Sequence, residues 1–214
     1  CSPQVIGVIF TGNTASSDTG GAGGAMYNNG LGGTSRPLIV NATFTGNRAR
    51  FDGGAIFNAG TGDGSVSSPV IIGATFTGNV ADGGGALFNS GYAGGVSSPQ
   101  ITNATFVGNT GRLGGAIFNG GGSGGTSSPH ITNTILWGNA AAFGGSDVYN
   151  VDATPEYRHT LAEGLDLTGT GTGNVDGTDP ASDPLFFDSA DPSGADGVFG
   201  TDDDGLRLSL ASPA

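Results

Sequence analysis

Lysine is absent from this 214-residue chain, and six Arg supply all of its fixed positive charge against eighteen Asp and Glu. The formal net charge is −12. This balance excludes the basic footprint of a nucleic-acid binder and argues against docking on an anionic membrane surface. The single cysteine, Cys1, cannot close an internal disulfide. No apolar run approaches the length of a transmembrane helix, and no leader pattern is visible. Helical signal is missing as well. Between residues 1 and 150 no eleven-residue window carries a 3.6-residue apolar period free of Gly.

Glycine, by contrast, is plentiful at 44 residues, and it punctuates a repeat. One phrase reads VIFTGN (8–13), ATFTGN (42–47), ATFTGN (74–79), ATFVGN (104–109) and TILWGN (134–139). A second reads GGAMYN (23–28), GGAIFN (53–58), GGALFN (84–89), GGAIFN (114–119) and the degenerate GGSDVYN (144–150). A third follows a Pro: PQVIG (3–7), PLIVN (37–41), PVIIG (69–73), PQITN (99–103) and PHITN (129–133). The Asn residues closing the second phrase recur every 30 or 31 residues, a period that marks a solenoid or array.

Each repeat therefore holds three short words rich in Ile, Val, Thr and Phe, as strands prefer. Pro opens one of them, where a missing N–H does least harm. Gly or Asn closes each, since a sharp corner needs a positive φ. The words are too short and too Gly-spaced for the hairpins of a sandwich. They predict a coil with three faces, each word pairing in parallel with its copy one repeat later, about 4.8 Å away. Like residues then form files: Phe10, Phe44, Phe76, Phe106 and Leu136 inside, with Met26, Ile56, Leu87 and Ile117 as a second apolar column. Asn13, Asn47, Asn79, Asn109 and Asn139 form a file of amides, each donating to and accepting from its neighbour. Paired glycines such as Gly53-Gly54 mark corners with no room for a side chain. A phosphate loop is excluded there, because no helix-forming segment or Lys follows.

With these words in hand, residues 1–150 resemble the right-handed parallel β-helix repeats of bacterial surface proteins. The pairing of GGA(I/L)xN with FxGN is similar to the repeats of the chlamydial polymorphic outer-membrane protein family. ILWGN (135–139), DPLFFD (183–188) and DGLRLSLASPA (204–214) resemble the end of the choice-of-anchor Q class of bacterial β-helix proteins. The resemblance implies an all-β chain, a right-handed single-stranded parallel β-helix of about five regular coils plus an irregular C-terminal region. It also implies secretion or display on a bacterial surface, and it supplies no catalytic residues.

Two regions follow from charge and period: repeats over 1–150, and an acidic, Gly/Asp-rich segment over 151–214 that ends or caps the solenoid. The first carries five Asp against four Arg; the second carries eleven Asp and two Glu against two Arg. Within the second, 154–167 predicts an irregular coil or a short helix, and the alternation of LRLSL (206–210) predicts a strand. Asp196, Asp202, Asp203 and Asp204 on a Gly-rich loop are hard oxygen ligands of the kind that suit Ca²⁺, although the spacing is not that of an EF-hand. The competing reading is a solvated acidic loop that aids solubility.

Three function classes follow. The favoured one is structural: an extracellular spacer, adhesin or filament subunit, with no enzymatic activity. Because the chain starts directly at Pro3-Gln4-Val5-Ile6, with no capping segment, identical units could stack head to tail into a fibre. The second class is binding. A carbohydrate or cell-surface ligand would meet the Gly/Ser-rich loops 59–68, 90–98 and 120–128. Ranks of outward Thr (Thr43, Thr45, Thr75, Thr77) would suit ice, though Ile9, Val107, Ile135 and Trp137 break them. The third is carbohydrate cleavage, for which Glu156, Arg158 and His159 form the one compact acid–base group and His130 is an exposed strand residue. Cys1 aligns with a loop Ser of later repeats, with lipid modification as the alternative.

Overall fold

The computed structural model describes every residue except Cys1 and Thr168, so the lipidation question at Cys1 lies outside the described residues. The chain winds into a parallel β-solenoid with three faces. One six-stranded sheet stacks Gln4–Ile6, Leu38–Val40, Val70–Ile72, Gln100–Thr102, His130–Thr132 and Glu156–Arg158. The second, also of six strands, stacks Ile9–Thr11, Thr43–Thr45, Thr75–Thr77, Thr105–Val107, Ile135–Trp137 and Leu161–Ala162. The third has five: Met26–Asn29, Ile56–Ala59, Leu87–Ser90, Ile117–Gly120 and Val148–Val151. Every pairing in these sheets is parallel, and like residues face like, as in Phe44↔Phe76 and Asn58↔Asn89.

Corners are set by the closing residues. Gly7, Asn41, Gly73, Asn103 and Asn133 turn the first face into the second with φ between 48° and 64°. Only Gly and Asn take that left-handed conformation at low cost. At the doubled glycines the constraint is also space: a Cβ on Gly53 would lie 2.3 Å from the Ile56 carbonyl oxygen, and one on Gly54 would lie 2.0 Å from that of Gly85 in the next coil.

The core is one apolar column per face. Ile39, Ile71, Ile101 and Ile131 come from the first face, Phe44, Phe76, Phe106 and Leu136 from the second, and Ile56, Leu87 and Ile117 from the third, all fully buried. Each such side chain contributes roughly 1.5–3 kcal/mol by leaving water.

The winding continues past residue 150 in the irregular final coil, the sixth, that 154–167 predicts: Glu156–Arg158 and Leu161–Ala162 form two of its faces, and the third sheet ends at Val148–Val151. Residues 163–167 and 169–177 follow this coil. Gly177 N–H bonds the Leu165 carbonyl at 3.0 Å, Thr160 N–H bonds Asn174 Oδ1 at 3.0 Å, and Leu167 is buried against the core.

After a 3₁₀ turn at Pro180–Ser182 the chain doubles back on itself. Phe187 N–H bonds Arg207 O at 3.0 Å, Asp188 N–H bonds Gly205 O at 2.9 Å, and Ser209 N–H bonds Leu185 O at 3.0 Å. The alternation at 206–210 thus yields one antiparallel bridge, Phe186↔Leu208, rather than a strand. This folded-back segment lies along the outer side of the second sheet. Phe199 and Gly200 share a groove with Ile9, Thr43 and Thr75, while Leu208 shares another with Ile135 and Leu161. Outward Thr77 and Val107 are accordingly buried, at 6% and 4% exposure. Of the outward Thr rank, Thr43, Thr45 and Thr75 stay half-exposed and only Thr77 is buried.

Candidate functional site: a groove where the ladders break

The aromatic file stacks face to face. Phe10, Phe44, Phe76 and Phe106 have ring centroids 4.8, 4.8 and 4.5 Å apart and planes within 5° of parallel; Leu136 continues the file. The amide file is equally regular. Asn79 Oδ1 accepts from both the backbone N–H and the Nδ2 of Asn47, at 3.0 Å each. Asn79 Nδ2 donates to Asn109 Oδ1 at 2.8 Å and to Phe44 O at 2.9 Å. At the first coil Phe10 is only half-buried and Asn13 is exposed. Groups that satisfy one another this completely have no capacity left for a ligand.

A second amide file runs along the third face. Asn28, Asn58, Asn89, Asn119 and Asn150 are joined by side-chain bonds of 2.8, 2.8, 2.8 and 2.9 Å. In the sequence these residues mark only the period. Their invariant place two positions after an inward residue was the available signal for a buried file.

Asp147 ends the first amide file. It stands where Ala55, Ala86 and Ala116 stand in earlier coils, and is 1% exposed. Its Oδ1 accepts from Asn139 Nδ2 at 2.7 Å, while its Oδ2 has no partner among the described residues. Burial pushes its pKa up to about 7, with the Asn139 bond opposing and the Glu163 charge adding. Neighbouring Tyr157 is raised to about 12, chiefly by burial.

The other candidate groups disperse. Glu156 pairs with Arg158 and with His130 (Nδ1–Oε2 2.9 Å), not with His159. That pairing, first of all the Arg158 bond, lowers the Glu156 pKa. His159 sits in the left-handed corner of the sixth coil, φ 46°. In the acidic loop, Asp203 Oδ2 accepts from Asp196 N–H at 3.1 Å, Asp203 Oδ1 from the Thr201 hydroxyl at 2.8 Å, and Asp204 Oδ2 from Gly200 N–H at 2.7 Å. Asp202 is exposed. Among the described residues no three His, Cys, Asp or Glu side chains are grouped to hold a metal ion. Asp204 Oδ1 is buried without a partner. The Gly/Ser-rich loops stack like the strands, with Gly60 N–H bonding Ser90 O and Gly91 N–H bonding Gly120 O at 2.8 Å each.

One corner departs from the ladder rule. Between the second and third faces, Asp52, Gly83 and Leu113 occupy one file, joined by parallel bridges. Beside it Phe51, Asp82 and Arg112 form another: Gly83 N–H bonds Phe51 O at 2.8 Å and Arg112 N–H bonds Asp82 O at 2.7 Å. Unlike residues in one file cannot fill each other's space, and a depression of about 420 Å³ opens between Asp52, Asp82, Arg112 and Phe143. Its floor is the outward aromatic file of the third face, in which Phe88 and Phe118 stack at 4.4 Å. Gly83 has an ordinary φ, so its reason is space: a Cβ there would lie 2.5 Å from Asp52 Oδ1 and 2.8 Å from Phe88 Cε2. Arg112 faces Asp82 at 3.7 Å and lies over the Phe143 ring at 5.1 Å. Burial, then the Asp82 charge, pushes the Asp52 pKa up to about 6.

Comparison with known proteins adds one match. Residues 41–59 match the Chlamydia polymorphic membrane protein repeat. That stretch contains Phe44, Asn47 and the doubled glycines, so the match falls on the residues that build one coil. No curated protein and no solved structure matches the chain. Over the matched coil, and in its parallel solenoid architecture, the chain is similar to the polymorphic membrane proteins of the bacterial surface.

Proposed function

We propose that this chain is a non-catalytic, surface-displayed solenoid that acts as a spacer or adhesin outside the bacterial cell. The observation that carries this reading is the polymorphic membrane protein repeat at 41–59 within an unbroken stack of coils. A stack in which each coil contacts only its neighbours is a rod, and a rod's mechanical role needs no reactive group. Of the candidate acid–base residues, Glu156 and Arg158 are engaged in an exposed ion pair and His159 stands apart from it, which supports the non-catalytic reading. No helix among the described residues is long and apolar enough to cross a membrane. Antibody labelling of intact cells tests the proposal. Labelling before permeabilisation is expected; labelling only after lysis would refute it.

Head-to-tail association is part of the same proposal. Within the chain like coils already stack on like through parallel strands, and a second copy would present the same files. Sedimentation across a dilution series should show mass growing with concentration, whereas a constant monomer mass speaks against fibres. Calcium at Asp196, Asp202, Asp203 and Asp204 remains a narrower proposal: Asp204 Oδ1 is buried with no partner among the described residues, while no three acidic side chains there are grouped to hold a metal ion. Calcium should raise the melting midpoint and chelator lower it; identical curves end the idea.

A further inference from the structure

We propose that the corner groove is a binding site for a neutral oligosaccharide strand lying across the coils. The proposal gives the adhesin reading a ligand class and a location, and it differs from the expectation that the Gly/Ser-rich loops make such contacts.

Shape comes first. A second depression of about 260 Å³, lined by Arg48 and Arg50, shares Asp82 with the one beside Phe143. Together they run from the first coil, at Thr14, to the fifth, at Phe143. The long direction follows the stack, so contacts recur at the strand spacing of about 4.8 Å. A trough of that kind suits a chain of repeating units better than one compact molecule. An added peptide strand is a poor fit along the trough, because in its middle coils Arg48, Val80 and Thr110 already have both backbone edges paired inside the stack.

Charge selects the ligand class. Arg48, Arg50 and Arg112 line the trough, and Asp52 and Asp82 face them, with Asp18 paired to Arg50. The signs balance, in a protein whose overall charge is −12. A trough with no net field selects neither a nucleic acid nor a cationic peptide. It nevertheless offers strong hydrogen-bonding groups of both kinds: carboxylates accept, guanidiniums donate, and a sugar hydroxyl does both. Two groups are left open. No described group donates a hydrogen bond to the Asp52 carboxylate, and Arg48 has no ion pair among the described residues.

The apolar wall completes the match. Phe143 is 72% exposed and lines the trough together with Phe88, Leu113 and Phe118. The negative face of its ring attracts the C–H face of a pyranose, and Leu113 extends the same wall. The file itself adds to the match: Asp52, Gly83 and Leu113 differ from coil to coil, as do Thr14, Arg48, Val80, Thr110 and Ala140 on the same corner. The result is an aromatic-walled trough with hydrogen-bonding rims.

Titration calorimetry on the purified full chain tests this. The probes are neutral hexasaccharides (β-1,4-linked glucose, N-acetylglucosamine and mannose), with hexagalacturonate and hexalysine as charged controls. At least one neutral probe should bind, and both charged controls should bind more weakly. Affinity should fall at least tenfold in Phe143→Ala and in Asp82→Ala. Phe143 is exposed, so that variant should melt with the parent protein and keep the test open if Asp82→Ala folds poorly. Silence from all neutral probes, unchanged affinity in Phe143→Ala, or preference for a charged control overturns the proposal. The readout uses purified protein, so it can fail while surface labelling succeeds, or the reverse.

Discussion

Asp147 is the residue at which sequence identity and site disagree most. Every earlier coil places Ala there, facing inward. An acid in that position is easier to bury protonated, which raises its folded-state pKa to about 7 against an unfolded value near 3.8. Below about pH 4 both states hold the proton and the group has no effect. Between pH 4 and 7 the unfolded chain ionises while the folded chain does not, so stability falls as pH rises, and above pH 7 the loss is complete. At about 1.4 kcal/mol per pKa unit the full loss is on the order of 4 kcal/mol. Asp147→Ala restores the repeat residue and leaves Asn139 Nδ2 its bond to Phe106 O. The variant should melt higher at pH 8, equal the parent near pH 4, and flatten the curve between; calorimetric melts across that range check it. Within the files the sign reverses. Phe76→Ala removes a fully buried ring from between two stacked partners and should cost about 3–5 kcal/mol in denaturant titration. Asn79→Ala leaves Asn47 donors without their acceptor and should cost about 1–3 kcal/mol for each buried group stranded.

The elements divide into those that repeat and those that do not, and the same division governed what the sequence disclosed. Strands, corners and two of the three apolar columns are legible, because a residue at one position is checked by its copies in the other coils; the first-face column of Ile39, Ile71, Ile101 and Ile131 is not among them. Phe10, Phe44, Phe76, Phe106 and Leu136 could be assigned inward with no structure at all. The folded-back segment over 183–209 has no copy. Its Asp-rich loop and its alternation at 206–210 carried only local signals, and local signals gave a strand where one bridge forms. Where it docks depends on contacts with Ile9 and Thr75, more than a hundred residues earlier, which no local pattern encodes. The groove was hidden for a related reason. Asp52, Asp82 and Arg112 belong to none of the repeated words, and only the register between coils places them on adjacent files. This contrast predicts a dynamic difference. Amides of Phe76 and Phe106 sit in paired strands and should exchange with solvent only by global opening. Loop 191–204 is held mainly by exposed Asp bonds to its own backbone and should exchange orders of magnitude faster. Hydrogen exchange resolved by residue checks this; equal protection of the two would mean that the segment is an integral layer.

At the scale of the molecule, neighbour-only contact makes the number of coils a variable rather than a constraint. Stability is close to a sum of coil terms and interface terms, so a coil can be removed without altering the geometry of those left. Deleting residues 73–102 joins Ile72 to Asn103. Asn103 takes over the corner of Gly73, since both hold a left-handed φ, at 53° and 64°. Phe106 then stacks on Phe44, Asn109 accepts from Asn47, and Ile117 lies over Ile56, so every file closes again with like on like. The segment at 183–209 must span one coil fewer, and its tip should overshoot the first coil rather than pull the stack apart. The shortened chain should keep a β-rich circular dichroism spectrum and a single cooperative melt, at a lower midpoint because one buried Phe, one Leu and one Ile leave the core. Deleting 73–87 instead joins Ile72 to Phe88, half a coil out of phase. That brings aromatic side chains under glycine corners and should abolish folding. If both deletions behave alike, stability does not reside in register between coils, and the files are incidental to it.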